Sequence, residues 1–475
     1  MKFKAPKLLC LLALFFSANF SFSQIEVKGK VVDFTSFLPI ENASIYIQNT
    51  TIGTISNADG KFQINVPQDH LQDTLVVSSI GFKTFKVPLN EYDPSFEIFL
   101  EEDIASLDEV VVMAENRPTE ANDIVLRALE RLERNLPDSS YIQKGFLRHK
   151  ERNKREFKWL IESAITVYDS AYNTNASDVL KINVDEVRKS YDLRDVDSVF
   201  NYVSYINQTA NGKRLKPDEV RRSDIKKSEI IKAIRWNDER INGLNNLFKS
   251  QLNLLRNAHR TKALFGSQIL DNHQFQLDTI LVDNERKIYK IKIKEGEDFV
   301  GLNTEGVFNK GYHARGWLYI YYDNYAVKQV EYELIAASKT QKIRSKRLFD
   351  TQVNHKLVIT YRDYKGKMYP SYIYYETPKL VNVGYKSQKR LNEKEKEAFN
   401  KTQRYYYTVQ EILFTDIILD KSQIKNALNN TWDADMFAAK PYNAQFWDNY
   451  NILLESEEDE QLIRDLTRRA QLFKN

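Results

Sequence analysis

Histidines are the first candidates for metal binding and acid–base catalysis in this chain. The six of them stand singly, and none begins an HxxE or HExxH pattern: His70, His149, His259, His273, His313 and His355. A catalytic zinc site needs several His or carboxylate ligands at set spacing, so this arrangement argues against one. The single cysteine, Cys10, supplies no thiolate pair. We therefore expect no metal, no cofactor and no zinc peptidase activity.

Serine and phosphate-loop motifs are equally weak. Ser223–Lys226 and Ser422–Lys425 have the Ser-x-x-Lys spacing, which arises by chance in a Lys-rich chain, and no Lys-Thr-Gly or Gly-x-Ser-x-Gly motif accompanies them. Gly306–Gly311 has the spacing of a phosphate loop, but Tyr312 stands where that loop requires lysine. The sequence therefore predicts a protein that is not an enzyme. A hydrolase with scattered catalytic carboxylates stays an alternative, because 65 acidic residues allow many pairs.

The first residues have the three-part pattern of a secretory signal. Three lysines precede an apolar run at 8–16 and a small-polar end at 21–23. We place a signal peptide at 1–23 and expect cleavage between Ser23 and Gln24. The apolar run is far shorter than the roughly 20 residues that cross a bilayer, and no later run reaches that length. We therefore expect an exported protein without a transmembrane helix, in the periplasm or associated with the outer membrane.

Removal of this signal changes both the charge and the chemistry of the chain. Loss of its three lysines lowers the formal charge from +4 to +1, which disfavours a nucleic-acid-binding protein. Loss of Cys10 leaves no cysteine for a disulfide, so stability must come from packing. With 475 residues, 42% of them hydrophobic, the chain is long enough for several packed domains.

Residues 24–102 show apolar alternation in short runs separated by turns, the pattern of a β-sandwich. The expected strands are Val27–Asp33, Ala43–Gln48, Lys61–Val66, Thr74–Ser78, Lys83–Val87 and Phe96–Leu100. Asn57–Phe62 contains Asp59 and Gly60, which favour a tight turn. We expect a hairpin at this point, because the loop has too few carboxylates for a calcium ion.

The same segment resembles the carboxypeptidase-regulatory-like domain. The similar runs are Gly29–Asp33, Leu38–Ile45, Gly53–Thr54, Asn57–Phe62 and Ser79–Phe82. The resemblance implies a transthyretin-like β-sandwich that is an appendage in metallocarboxypeptidases, where the zinc enzyme lies elsewhere. This module also precedes the plug of some TonB-dependent receptors, where a run similar to residues 107–112 follows. We interpret 103–118 as a linker that contains an edge strand or a strand that pairs with a partner.

Residues 119–475 predict an α+β region. Apolar residues recur at helical spacing from Thr119 to Pro137. Strands are expected at Phe157–Tyr168, Ile288–Ile293, Trp317–Tyr322, Ala326–Leu334, Leu357–Tyr361 and Tyr369–Glu376. Short turns between consecutive strands predict an antiparallel meander, and the helix is the natural cover for its dry face. We expect a curved antiparallel sheet with covering helices.

This region resembles the half-barrel of periplasmic lipoprotein carriers, in runs such as Gly316–Ile320 and Asp323–Val327. The resemblance implies an apolar concave face. Gly145–Arg148 and Phe446–Tyr450 also resemble large exported envelope proteins that have no assigned activity.

Two charged stretches are candidate binding elements. A polar insertion at about 169–265, helical from Pro217 onward, contains Lys213–Arg235 with a local charge of +5. It suits an anionic partner, but a solvated helix face is the favoured interpretation. Near the other end, acidic residues at 455–460 precede arginines, which together with Ser456 as a cap predicts a helix.

The sequence as a whole favours a non-enzymatic cell-envelope protein with a binding or adaptor role. Trp317, Tyr319 and Tyr321 are the candidate contacts for a lipid-like apolar ligand in the half-barrel, and an envelope protein is the other expected partner. Whether the inner sheet face is a pocket or a filled core is left open. A purely structural protein-interaction module, pairing through the strand near Leu107, stays an alternative.

Overall fold

The computed structural model describes most of the chain after the expected signal peptide. The described residues are 24–105, 117–152, 157–172, 180–191, 198–249 except 211 and 213, 254–259, 264–295, 312–339, 342, 343, 345, 346, 353–381, 392, 394, 404–438 and 440–470. The signal peptide with Ser23, and the expected edge strand at 107–112, lie outside these residues. Gln24 is the first residue of the first strand.

The N-terminal module is a sandwich of two small sheets. Its strands are β1 Gln24–Asp33, β2 Ser44–Ile47, β3 Gly53–Ile55, β4 Lys61–Pro67, β5 Thr74–Ser78, β6 Phe85–Pro88 and β7 Ile98–Leu100. The sheet orders are β4-β1-β7 and β3-β2-β5-β6. Fully buried apolar side chains such as Val31, Ile45 and Ile64 fill the space between them. The six strands expected from alternation are confirmed, and β3 was missed.

The second region is built on one sheet of 11 strands. Its further strands are β8 Ile104–Ala105, β9 Tyr141–Arg152, β10 Phe157–Asp169, β11 Leu180–Tyr191, β12 His273–Asp283, β13 Arg286–Glu295, β14 Tyr312–Tyr321, β15 Val327–Ala336, β16 Val353–Tyr364, β17 Lys367–Val381 and β18 Arg404–Ile418. The order is β11-β10-β9-β18-β17-β16-β15-β14-β13-β12-β8, with antiparallel pairing throughout. The expected meander is confirmed. Strand β11 lies inside the span that was interpreted as a polar insertion.

Helices cover parts of this sheet. They are α1 Ala121–Glu130, α2 Leu132–Asn135, α3 Ser198–Thr209, α4 Lys227–Asn242, α5 Leu244–Lys249, α6 Ile269–Asn272, α7 Lys421–Leu428, α8 Ala444–Trp447 and α9 Glu457–Ala470. The helix expected from Thr119 to Pro137 is present as α1 and α2. The apolar stripe of α1 joins one hydrophobic core with Ile291, Ile293 and Leu318 of the sheet. Among the described helices, none combines the length and apolar content that a bilayer crossing requires.

Residues 444–470, the C-terminal segment, cover the opposite face of β9, β10 and β18. Trp447 and Leu453 pack against Phe146, Ala164 and Leu413. Beside this apolar contact lies a network of four cations and four carboxylates: Arg148, Lys150, Arg152, Arg188, Glu162, Glu411, Glu455 and Asp459. The charges balance, which allows them to be buried together.

Helix α9 begins as the sequence predicts. The backbone N–H of Asp459 donates to the hydroxyl of Ser456 at 3.2 Å, and four acidic residues occupy its first turn. The Asp459 carboxylate accepts from Lys150 Nζ at 2.6 Å. The capped first turn of α9 therefore places the Asp459 carboxylate in the buried network.

Candidate functional site: the cleft between the two modules

The sandwich contacts the large sheet through the turn between β12 and β13. Asn284 and Glu285 both have left-handed backbones, with φ of 48° and 64°, as a tight hairpin turn requires. This turn directs the Asn284 side chain at the sandwich, where its oxygen accepts from Tyr46 Oη at 3.3 Å and Thr84 Oγ1 at 3.2 Å. Lys86 Nζ and Glu285 Oε1 are 3.0 Å apart. The turn therefore holds one side of the sandwich.

The C-terminal segment holds another part of the sandwich. The backbone N–H of Asn65 donates to Asn451 Oδ1 at 2.7 Å, and Asn451 returns a bond to the Asn65 carbonyl at 3.2 Å. Asn57 Nδ2 donates to the Glu455 carbonyl at 2.7 Å. Contacts on both sides therefore fix the sandwich above the sheet and leave a gap beneath β2 and β3.

This gap is a cavity of about 620 Å³ whose walls come from both modules. The sandwich contributes residues of β2, β3, the loop between them, β5 and β6, and the sheet contributes residues of the β12–β13 turn and of β13 to β18. Its charged side chains are Lys86, Arg286, Lys328, Arg362, Asp363 and Lys365. Hydroxyl and amide side chains, including those of Ser44, Tyr46 and Ser371, line the rest. We call it the junction cleft.

Arg362 lines the junction cleft and contacts both the loop before β3 and strand β18. Its Nη1 donates to the Thr51 carbonyl at 3.1 Å and its Nη2 to the Phe414 carbonyl at 3.3 Å. Among the described residues, no carboxylate oxygen lies within 4.0 Å of its guanidinium nitrogens. Burial lowers the pKa of Arg362 to about 10, because its charge is desolvated. Arg362 therefore stays a cation at neutral pH, and the two oxygens that accept its hydrogen bonds belong to uncharged backbone carbonyls.

A buried carboxylate, Asp283, lies behind the cleft-lining residues Tyr321 and Lys328. Asp283 is 1% exposed, accepts from Tyr321 Oη at 2.5 Å, and lies 3.7 Å from Lys328 Nζ. Burial and the Asp283 charge raise the pKa of Tyr321 well above its ordinary value. Burial, with Asp283 as a second cause, raises the pKa of Tyr46 to about 12. Both phenols are therefore neutral hydrogen-bond donors at physiological pH.

The three aromatic residues expected to contact a ligand share one strand face. Tyr321 lines the junction cleft, and the Arg286 guanidinium carbon is 3.7 Å from its ring centroid. Because side chains alternate along β14, Trp317 and Tyr319 lie on the same face as Tyr321. The Trp317 ring has Lys290 Nζ 4.3 Å from its centroid. Whether the three bind a ligand stays a prediction.

The histidines are engaged in structural contacts. Trp159 Nε1 lies 3.3 Å from His149 Nε2, and Gln410 Nε2 lies 3.2 Å from His149 Nδ1. His273 Nε2 is 2.9 Å from the Tyr332 hydroxyl. Burial lowers the pKa of His355 to about 4. Among the described residues, no three His, Cys, Asp or Glu side chains converge as a metal site would require.

The cleft's charged residues were not found by sequence analysis. Lys86 is in the sandwich, whereas Arg286, Lys328 and Arg362 are spread over β13, β15 and β16. No motif links them, because only the sheet's register and the docking of the sandwich bring them together. The charges next to the strand-connecting turns at 284–285 and 365–366 were the available signal.

Known proteins match parts of this chain. Residues 27–112 match the CarboxypepD_reg-like domain family, past the expected boundary at 102. The TonB-dependent receptor SusC of Bacteroides thetaiotaomicron is 36% identical over 106 residues, which are 22% of this chain and 10% of that protein. The chain thus matches about one tenth of that relative's length.

Two solved structures resemble a larger part of the chain. A LolA superfamily protein from Nitrosomonas europaea is 10% identical and covers 64% of this chain and 95% of its own, with a TM-score of 0.21. A DUF1329 family protein from Desulfovibrio piger is 7% identical, with the same coverages and a TM-score of 0.25. Scores this low carry over no ligand or activity. The family match confirms the expected module: residues 27–112 form a CarboxypepD_reg-like domain.

Proposed function

We propose that this protein is a non-catalytic, exported cell-envelope protein that holds a ligand between its sandwich and its large sheet. The observation that carries the proposal is the junction cleft, because its walls come from both modules. A cavity of about 620 Å³ is within the range of roughly 300–1,000 Å³ that small-molecule sites occupy. The sandwich in this arrangement is part of the binding site.

Location in the envelope is part of the same proposal. Residues 1–23 have the pattern of an export signal. Separately, 106 residues of the chain are 36% identical to a protein named as a TonB-dependent receptor. A binding protein of the periplasm or the outer membrane agrees with both observations.

The junction cleft is a better candidate than the side of the sheet that α1 covers. There, α1 packs into a continuous core with fully buried isoleucines of β13. The junction cleft instead presents charged and hydroxyl side chains to an open space. We therefore propose that the ligand binds in the junction cleft and not on the side of the sheet that α1 covers. We expect this ligand to carry polar groups.

The test is native mass spectrometry with lipid extraction on protein purified from its own envelope. Ser44 lines the cleft from β2, so Ser44→Trp fills part of the cavity. Ser95→Trp places the same side chain at an exposed position and is the matched control. We expect wild type and Ser95→Trp to carry a near-stoichiometric ligand that Ser44→Trp loses. A wild-type chain without ligand, or folded Ser44→Trp with undiminished ligand, would refute the proposal.

A second candidate function, protein interaction through the sandwich, rests on a different observation. Phe34, Phe37, Leu38, Phe96 and Phe99 are 41–71% exposed, and the ring centroids of Phe34 and Phe37 lie 6.4 and 6.0 Å from that of Phe99. Exposed apolar groups that cluster in this way mark interaction surfaces. If Phe37→Ser with Phe96→Ser abolishes co-purification of one defined envelope protein while the cleft ligand is retained, this role is supported.

A further inference from the structure

The charges of the junction cleft restrict the kind of ligand it can hold. Five cationic side chains line the cavity, and Asp363 is the lining carboxylate. Some of the cations have carboxylate partners: Lys86 pairs with Glu285, and Arg286 with Asp323. Arg362, by contrast, has carbonyl oxygens as its hydrogen-bond acceptors. The cleft therefore has a desolvated cation whose charge its protein acceptors do not neutralise.

The geometry leaves donors of Arg362 available to a ligand. A guanidinium has five N–H donors, and the two carbonyl bonds use one donor on each terminal nitrogen. Gly53 of β3 lies against this group: a Cβ at that position would be 3.2 Å from Arg362 Nη1. The missing side chain lets the backbone of β3 approach the guanidinium closely. Arginine with free donors in a partly desolvated site is the usual recognition element for phosphate and carboxylate groups.

Other residues of the cleft suit the same chemistry. Lys328 is largely buried and lies 3.7 Å from Asp283, and its three ammonium donors allow it to bind a second anionic partner. The phenols of Tyr46 and Tyr321 line the same cavity, but they donate to Asn284 and Asp283, so recognition of an anion falls to the two cations. Burial in the cleft strengthens each charge–charge contact relative to bulk water. The cavity is much larger than a single phosphate ion, so the ligand has a further polar body.

We propose that the junction cleft binds an anionic ligand through a phosphate or carboxylate group held by Arg362 and Lys328. The inference rests on the proposed function, since it assumes that the cleft holds a ligand. An anionic lipid headgroup and a free small anion present the same chemistry to these residues. The experiment must therefore separate the two sources.

The test uses the full mature chain and two probes: inorganic phosphate in titration calorimetry, and vesicles of phosphatidylglycerol or phosphatidylcholine in co-sedimentation. Arg362→Met removes the charge at similar size, and Arg362→Lys retains it. We expect at least tenfold weaker binding in Arg362→Met, partial rescue in Arg362→Lys, and weaker binding at higher salt. Binding of phosphate alone identifies a free anion, and selective binding of phosphatidylglycerol vesicles identifies a headgroup.

A second pair of variants guards against a folding defect in Arg362→Met. Lys86 is a half-exposed cation at the cleft, and Lys83 is an exposed cation of the same module that pairs with Glu101. Lys86→Ala should weaken anion binding several-fold, whereas Lys83→Ala should leave it unchanged. Equal binding in wild type, Arg362→Met and Lys86→Ala overturns the inference, as does the absence of binding to both probes. If the wild type carries a neutral ligand that Ser44→Trp loses, the inference of an anionic ligand is refuted. The proposed function of ligand binding in the junction cleft is then still supported.

Discussion

Replacing Glu162 by Gln tests the buried network beneath the C-terminal segment. The Glu162 side chain is 3% exposed and accepts from Arg148 Nε at 2.9 Å, Arg148 Nη2 at 2.7 Å and Arg188 Nε at 2.6 Å. Burial alone would raise the pKa of Glu162, but the two guanidinium groups outweigh it and the pKa is lowered. Gln keeps the shape and removes the charge, so both arginines lose a buried counter-ion.

The expected loss is large. Removing one partner of a buried ion pair costs about 3–5 kcal/mol, and two guanidinium groups depend on this carboxylate. A folded protein has only about 5–15 kcal/mol of stability in total. We therefore expect Glu162→Gln to lower the free energy of unfolding by about 3–5 kcal/mol, and to increase amide exchange in residues 444–470, because Arg148 also donates to the Leu453 carbonyl at 2.8 Å.

The assay is urea unfolding followed by tryptophan fluorescence, with the slope compared between variants. Lys61→Ala is the control, because Lys61 and Glu457 form an exposed pair, 46% and 71% accessible, that water and salt screen. A loss below about 1 kcal/mol in Glu162→Gln, equal to the control, would show that the network adds little and would refute the argument.

Two further predictions concern the backbone and pH. Gly60→Ala should lower the free energy of unfolding more than Gly366→Ala. Both glycines have left-handed backbones, which cost Ala about 1–2 kcal/mol. Only at Gly60 would the added Cβ also clash, because it would lie 2.4 Å from the Val31 carbonyl oxygen. Equal losses in urea unfolding would contradict the clash. Burial alone would raise the pKa of Glu411, but the charges of Lys150 and Arg148 outweigh burial, so the folded-state pKa is lowered. The ionised Glu411 carboxylate therefore stabilises the fold above its ordinary pKa of 4.5, and this stabilisation is lost as the pH falls from there through the lower folded-state pKa. Glu411→Gln should weaken this dependence of the urea midpoint on acidic pH.

Local patterns in the sequence predicted most strands of the sandwich and, in the large sheet, β10 and β13 to β17, but they missed β3, β8, β9, β11, β12 and β18. In β13, Tyr289, Ile291 and Ile293 are buried, whereas Lys292 is exposed and Lys290 is half-buried, as the alternation requires. Ser456 caps α9 as its spacing with Asp459 predicted. These features depend on neighbours within a few residues, which a single sequence displays directly.

The junction cleft depends on contacts that a single sequence does not display. Arg362 donates a hydrogen bond to the carbonyl of Thr51, 311 positions away in the chain, and Thr51 Oγ1 donates one to Asp416, 365 positions away. The charges on β9 were also missed, because Arg148 and Lys150 look like solvated residues until the C-terminal segment covers them. Long-range docking, rather than local propensity, decides both sites.

The pairing of β9 with β18 has a consequence for how the chain reaches its folded state. Residues 142–152 lie beside residues 407–418, so the middle of the sheet cannot close until the later strand has been synthesised and delivered. Contacts of such sequence separation slow folding, because loop-closure entropy is lost before pairing compensates for it. Until then β9 exposes an unpaired edge, which is prone to aggregation. The pairing with β18 therefore ends the period in which this edge of β9 can pair with another chain.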